Sequence, residues 1–358
     1  MVPQDKIRAG ILGATGAVGQ KFIELLHEHP WFDITALAAS ERSAGKQYAQ
    51  AANWIGEGEI PESIAAMTVS SCEPVLDCDF VFSGLDASVA GEIERAFAVA
   101  GYPVISNARN YRMNAGVPLL IPEVNPDHTA LIDAQLRDGQ EGYIVTNPNC
   151  STVGLVCALK PLHDAFGVEK VVVTTMQALS GAGYPGVASL DIEGNVVPFI
   201  GGEEDKVATE PQKLLGVFED SRIRPADIVI SAQCNRVAVR DGHTECVSVK
   251  LGGSPSLDEV AEVFRSFQNP ISGFELPSSP AKFLQLLDGP ADPQPRRYVN
   301  RDGGMTVWIG RLRECPVLDF KFVVLVHNTV RGAAGGAILN AELLVKQGYL
   351  RSRVRTVA

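Results

Sequence analysis

Apolar positions divide this chain into two textures. Residues 7–12 (IRAGIL) form a short, nearly continuous apolar run of the kind a buried strand shows. Glycines follow, and then Val18, Phe22, Leu25 and Leu26 recur at helical spacing. Runs at 34–39, 79–84, 103–106 and 143–147 predict further short strands, with helical stretches near 88–100 and over 151–165. Strands that alternate with helices predict a parallel, doubly wound α/β sheet. After about residue 168 the runs lengthen, at 170–179, 243–251 and 318–326. In the second of these Val247, Val249 and Leu251 alternate onto one face, which predicts a mixed or antiparallel sheet in a second, α+β domain. A helix is expected near 257–268, Pro-rich connections around 277–295 and a last helix over 333–347. There is no internal repeat and no low-complexity segment.

Composition narrows the function more than the fold. A length of 358 residues suits one very large domain or two ordinary ones. With 46% hydrophobic and 20% charged residues, the chain has the make-up of a folded globular protein. Its net charge of −11 argues against non-specific nucleic-acid binding, which needs a basic surface. No stretch approaches the roughly 18 apolar residues of a membrane span, and the N-terminus lacks the pattern of a signal peptide. The seven cysteines include no CxxC pair, which suits free thiols in a reducing, cytoplasmic setting and no structural zinc.

Two strand-to-helix handovers carry candidate chemistry. The first holds Gly13-Ala14-Thr15-Gly16-Ala17-Val18-Gly19 between the first strand and the first helix. Glycine there permits a tight turn and a close approach of backbone to a pyrophosphate, and the helix N-terminus offers unpaired N–H groups to the anion. The spacing is G-x-x-G-x-x-G rather than the commoner G-x-G-x-x-G. The second predicted strand ends in Ser40-Glu41-Arg42-Ser43. Two hydroxyls and an arginine suit the 2′-phosphate of NADP, whereas Glu41 keeps a ribose 2′-OH, and so NAD as a weaker alternative, open.

The second handover is Thr146-Asn147-Pro148-Asn149-Cys150-Ser151-Thr152. A cysteine at a helix N-terminus feels the positive end of the macrodipole, which favours the nucleophilic thiolate. The backbone N–H groups of 150–152 are candidate oxyanion donors. Cys157 reads instead as a small buried hydrophobe. His243 opens a strand after Asp241-Gly242, seven residues beyond Arg236, so an anion clamp and an acid–base group can share one strand entrance.

These motifs together resemble the aspartate-β-semialdehyde dehydrogenase family, in its archaeal and fungal branch, over essentially the full length. The resemblance rests on GATGAVG at 13–19, ASERSAGK at 39–46, NARNYR at 107–112 and NPNCST at 147–152. It continues through SGAGYPG at 180–186, GEEDK at 202–206, RVAVRDGH at 236–243 and NTVRGAAG at 328–335. It implies a Rossmann-like nucleotide domain over 1–149, a catalytic and dimerisation domain over 150–330, and a C-terminal helix over 331–358 that returns to the first domain. It also implies roles. Cys150 would be the nucleophile, Gln177 the group that orients the acyl intermediate and His243 the acid–base residue. Arg236 would hold the substrate carboxylate, Glu203 its ammonium, Lys206 and Arg109 a phosphate, with Asn149 beside them. Cofactor contacts are implied at Gly13, Thr15, Gly16, Ala17, Val18, Gly19, Ser40, Arg42, Ser43, Ser83, Gly84, Ser180, Gly181, Gly183 and Asn328.

The implied reaction interconverts β-aspartyl phosphate and aspartate-β-semialdehyde with NADPH, through a thioester on Cys150. Inorganic phosphate would be the third small-molecule partner, and the enzyme a homodimer or homotetramer in the biosynthesis of lysine, threonine, methionine and isoleucine. Three rivals stand beside it. N-acetyl-γ-glutamyl-phosphate reductase usually carries NPGCYP rather than NPNCST. Malonyl-CoA reductase would leave Glu203 without an ammonium partner. A non-catalytic NADP-binding redox sensor would have no need of Cys150, Gln177, Arg236 and His243 together.

Overall fold

The computed structural model describes residues 5–137 and 141–352; the ends of the first and last expected segments, 1–4 and 353–358, lie outside them. The first sheet contains β1 (Ile7–Leu12), β2 (Phe32–Ala39), β3 (Val69–Ser71), β4 (Phe80–Ser83), β5 (Val104–Ser106) and β6 (Ile144–Thr146). Every pairing is parallel, in the order β3-β2-β1-β4-β5-β6. Helices cover both faces, so the central strands are buried on both sides and read as continuous apolar runs. The chain order reverses beside β1, and ligands of such sheets bind outside the carboxyl ends at that switch point. Phe22 stacks on Phe82 at 4.7 Å, and Phe32 and Phe80 complete the cluster behind it. Each such side chain contributes roughly 1.5–3 kcal/mol by leaving water.

The second sheet is mixed. It contains β7 (Val168–Gln177), β10 (Val229–Arg236), β11 (His243–Leu251), β12 (Leu284–Leu287), β13 (Val307–Glu314) and β14 (Phe320–Val326), in the order β10-β7-β11-β14-β13-β12. A separate ribbon joins β8 (Val217–Glu219) to β9 (Arg222–Arg224). β10 runs parallel to β7 and β12 parallel to β13, while β7, β11, β14 and β13 pair antiparallel. The helix Cys150–Phe166 lies on one face, with Ser151 to Leu159 all buried. A helix that is apolar all round belongs in a core. The opposite sheet face leaves Val172 and Val229 exposed.

Three strands of this sheet carry little apolar alternation. β10 reads VISAQCNR, β13 is interrupted at Gly310 and Arg311, and β12 falls inside the stretch expected as a Pro-rich connection. The GEEDK segment is also more than a charged turn. It opens the helix Glu203–Leu214, whose first turn holds Glu203, Glu204 and Asp205 at the positive helix pole.

After β14 a π-helical turn, Val330–Ala334, runs into the helix Gly335–Gln347. Ile338, Leu339 and Leu343 of that helix join the first domain's core beside Ile11 and Phe22. His29 Nε2 lies 2.8 Å from the Glu342 carboxylate and anchors it. Among the described residues no helix is long and apolar enough to cross a membrane.

Candidate active site

Three adjacent strands and two helix starts converge on Cys150. β7 ends at Gln177, β10 ends opposite it at Arg236, and β11 begins at His243 on the other side of β7. Cys150 is the first residue of its helix, and its Sγ lies 3.2 Å from His243 Nε2. Glu203 starts the neighbouring helix and is buried. Its Oε1 accepts from Asn149 Nδ2 at 2.7 Å and Gln177 Nε2 at 3.2 Å, and its other oxygen accepts from Lys206 one turn along. Arg236 is buried and donates to the Ala178 carbonyl. Arg109 is exposed, with Nη1 3.8 Å from where a Cβ on Gly202 would sit, at the rim of this cluster.

The ring of His243 is fixed by its partners. The Ala178 N–H donates to Nδ1 at 3.0 Å. A neutral imidazole that accepts at Nδ1 carries its proton on Nε2. His243 therefore presents an N–H donor to the sulfur. Protonating Nδ1 would set two donors against each other, and burial already pushes the imidazole down to about 3. In the free site His243 is thus a neutral hydrogen-bond donor to the sulfur.

Two expectations change. Asn149 caps the helix, with Oδ1 accepting from Ser151 N at 3.0 Å and Thr152 N at 3.2 Å. Those two N–H groups are spent, so of the expected oxyanion donors only the Cys150 N–H, which has no intrahelical partner, is left. Burial pushes the Cys150 thiol up to about 12, and the Glu203 charge adds to this, against Lys206, Arg112 and Arg236. The macrodipole alone does not leave a thiolate in the free site.

At the first handover the glycines divide their work. Gly13 has φ +76 and makes the turn. A Cβ on Gly19 would fall 2.2 Å from the Gly13 carbonyl, so glycine there lets the helix close onto the turn. Gly16 is exposed, and its nearest protein atom to a built Cβ is 3.4 Å away, so the space it leaves opens outward. Among the described residues no side chain caps the helix Ala17–Leu26, so its first N–H groups are not taken by a side chain. These features fit a pyrophosphate. Thr15, Ala17, Val18 and Gly84 are half-buried around the loop. Ser40 and Arg42 are exposed beyond β2, beside the half-buried Ser43.

A cleft of about 580 Å³ joins Ala17 to Ser180, Gly183 and His327. Asn328 braces its wall by donating to Ser180 Oγ at 2.8 Å and accepting from Gly242 N at 2.9 Å. Gly181 faces the other way, since a Cβ there would lie 2.9 Å from both Arg236 Nη1 and the His243 ring. Ser83 is fully buried and offers no surface to a ligand in the cleft.

The chain matches two domain families, the semialdehyde dehydrogenase NAD binding domain over residues 8–132 and the semialdehyde dehydrogenase dimerisation domain over 159–331. It is 51% identical to the aspartate-semialdehyde dehydrogenase of Archaeoglobus fulgidus, over 94% of this chain and 98% of the relative. The chain belongs to the aspartate-semialdehyde dehydrogenase family. It is accordingly an enzyme, an oxidoreductase. Its fold superposes on the Candida albicans aspartate-semialdehyde dehydrogenase solved with NADP, with a TM-score of 0.91 at 45% identity, covering 97% of this chain and 100% of that one. The Vibrio cholerae aspartate-semialdehyde dehydrogenase II complexed with ASA follows, with a TM-score of 0.75 at 28% identity, covering 96% and 99%.

Within this family site, two residues escaped the sequence reading. Glu210 accepts the Asn149 N–H at 2.7 Å and pairs with Arg112 at 2.9 Å, all buried. Glu203 and Glu210 stand seven residues apart, two helical turns on one face. That spacing was the available signal, and it has meaning only once 203–214 is a helix. Arg112 closes the NARNYR motif, where the exposed Arg109 had drawn attention instead.

Proposed function

We propose that this enzyme interconverts aspartate-β-semialdehyde and β-aspartyl phosphate with NADP, through a covalent thioester on Cys150. The observation that carries the reading is the Cys150–His243 contact of 3.2 Å, flanked by buried Arg236 and Glu203. An amino-dicarboxylate substrate needs one cation for its carboxylate and one anion for its ammonium, and this pair supplies both. Lys206 and Arg109, at the rim beside Glu203, are the cations for phosphate. Ser40, Arg42 and Ser43 would take the 2′-phosphate of NADP, with NAD as the weaker alternative. The three-part division at 149/150 and 330/331 belongs to the same reading. So do the biosynthetic role in the aspartate pathway, the cytoplasmic setting and a homodimer or homotetramer joined through the second sheet.

Proton movements stay few. An ammonium seated against Glu203 offsets the charge that adds to burial in raising the thiol, and Lys206 and Arg112 then favour loss of its proton to a phosphoryl oxygen of the substrate. The Cys150 thiolate attacks the acyl carbon, the carbon–oxygen bond to phosphate breaks, and a thioester remains. Gln177, beside Glu203, orients the acyl group. A reduced nicotinamide, when bound, supplies the hydride for the thioester carbon. The Cys150 N–H and His243 Nε2–H stabilise the tetrahedral oxyanion, which expels the thiolate as it collapses. His243 needs neither to gain nor to lose a proton: the thiol proton leaves with the phosphate, and the expelled thiolate regains one from solvent.

Phosphate-dependent reduction of NADP with aspartate-semialdehyde tests the reaction. Omitting phosphate and quenching in acid should leave an acyl group on the Cys150 peptide by mass spectrometry. No activity on this aldehyde, alongside NADPH oxidation with malonyl-CoA, would replace the substrate. An active enzyme with no acyl adduct would end the covalent route.

A further inference from the structure

Behind the nucleophile lies a feature that the chemistry above leaves unused. The turn Val330–Ala334 is π-helical, with Gly332 N–H donating to the His327 carbonyl and Ala334 N–H to the Thr329 carbonyl, both at 3.0 Å and both five residues back. Such turns are rare and cluster at functional sites. Here the wide turn lays Gly332 directly against Cys150. A Cβ on Gly332 would sit 2.8 Å from the Cys150 Cβ and 3.0 Å from its Cα.

The turn is held by the bulkiest fully buried side chain among the described residues, Arg331. Its two Nη atoms donate to the two oxygens of buried Glu123, each at 2.7 Å. The guanidinium also lies over Phe283 at 5.2 Å and reaches Cys157 Sγ at 3.7 Å, two helical turns below Cys150. On the other side Asn147 Nδ2, three residues before the nucleophile, donates to the Ala333 carbonyl at 3.1 Å. A buried ion pair is weak evidence of stability, because apolar side chains of similar volume often serve as well. This one fixes a position, since the same turn continues from His327 and Asn328, which line and brace the cleft.

We propose that the π-helical turn, clamped by Arg331 and Glu123, positions the nucleophile through the backbone contact of Gly332 with Cys150. Gly332, Arg331 and Glu123 are positioning residues and touch no reacting atom. The proposal rests on Cys150 being the nucleophile, so Cys150→Ser is assayed in parallel and reports on that reading alone.

Gly332→Ala should lower kcat by about 100-fold, the scale of a roughly 1 Å misplacement. KM for the semialdehyde should stay within about threefold of wild type, because Arg236 and Glu203 stand on other elements. The rate of Cys150 alkylation by iodoacetamide should change as well, which a purely structural effect would not produce in a folded enzyme. The double variant Arg331→Met/Glu123→Leu replaces the pair with apolar bulk. It should keep its Tm within a few degrees and lose at least about tenfold in kcat. Wild-type kcat in either folded variant overturns the proposal. A KM rise with kcat intact does the same.

Discussion

The two strand-to-helix handovers of this enzyme have the same architecture and opposite chemistry. At Gly16 the helix starts with no side-chain cap, and its N–H groups are left for a ligand. At Asn149 the helix starts with a full cap, and two of its N–H groups are consumed by the protein itself. The first start is thus open to an anion, whereas the second is a rigid mount for one sulfur. Helix termini are polar by construction, and the capping residue decides whether that polarity is offered or used. The neighbourhood differs too. Gly16 opens outward, while Cys150 is enclosed by Glu203, His243 and Gly332.

Breaking either side of this contrast should have graded effects. The largest is Cys150→Ser, which should cost roughly 10⁴-fold or more in kcat, as loss of a nucleophile does elsewhere. NADPH binding should stay unchanged by fluorescence titration, because the contacts proposed for the cofactor stand at the other handover. Turnover within tenfold of wild type would end the separation of roles.

Gly16→Asp gives the first helix the kind of cap the second one has. Its φ of −82 and ψ of 168 suit any residue. The helix should gain a few tenths of a kcal/mol. A carboxylate about 4 Å from a pyrophosphate charge costs on the order of 4 kcal/mol near a protein surface, so the NADP Kd should rise tenfold or more. Calorimetry and titration check the two arms, and unchanged affinity would place the cofactor elsewhere.

Glu203→Gln acts on the second handover. Glu203 raises the Cys150 thiol, so its removal should shift the pH profile of alkylation to lower pH and speed alkylation at neutral pH. The KM for the semialdehyde should rise in the same variant, because the ammonium loses its partner. A shift to higher pH would mean that Glu203 acts mainly by holding Lys206 and Asn149.

The smallest effect concerns Glu245, fully buried on the same face of β11 as His243, with neither carboxylate oxygen hydrogen-bonded among the described residues. Burial raises its pKa well above 4.5, so folding retains its proton. That stability is present at acid pH and is lost as pH rises from 4.5 through the folded-state value. Glu245→Gln has no proton to lose. Its Tm should match wild type near pH 4 and exceed it increasingly as pH rises above that range. A Tm gain that is independent of pH would point to packing instead.

Local pattern made much of this protein legible. The parallel sheet followed from short apolar runs between helices, because strands buried on both faces have nowhere to place polar residues. Cys150 and the glycine loop were legible because a helix start imposes its polarity on whatever sits there. β10, β12 and β13 were not, since Gly310, Arg311 and the polar residues of β10 mask the period that pairing later enforces. Glu203 looked like one member of a charged run, and its burial depends on the sheet beside it.

By itself the sequence determined which residue types stand at each handover, and with them the class of chemistry. Only the tertiary structure decided their states. Burial raised the thiol of Cys150 and lowered the imidazole of His243. A single backbone N–H, from Ala178, set the imidazole as a donor. Glu210, Arg112 and the π-helical turn came to Cys150 from up to 182 residues away in the chain, from Cys150 to Gly332. Desolvation and hydrogen-bond direction depend on what surrounds an atom in space, and no local stretch of sequence contains those surroundings.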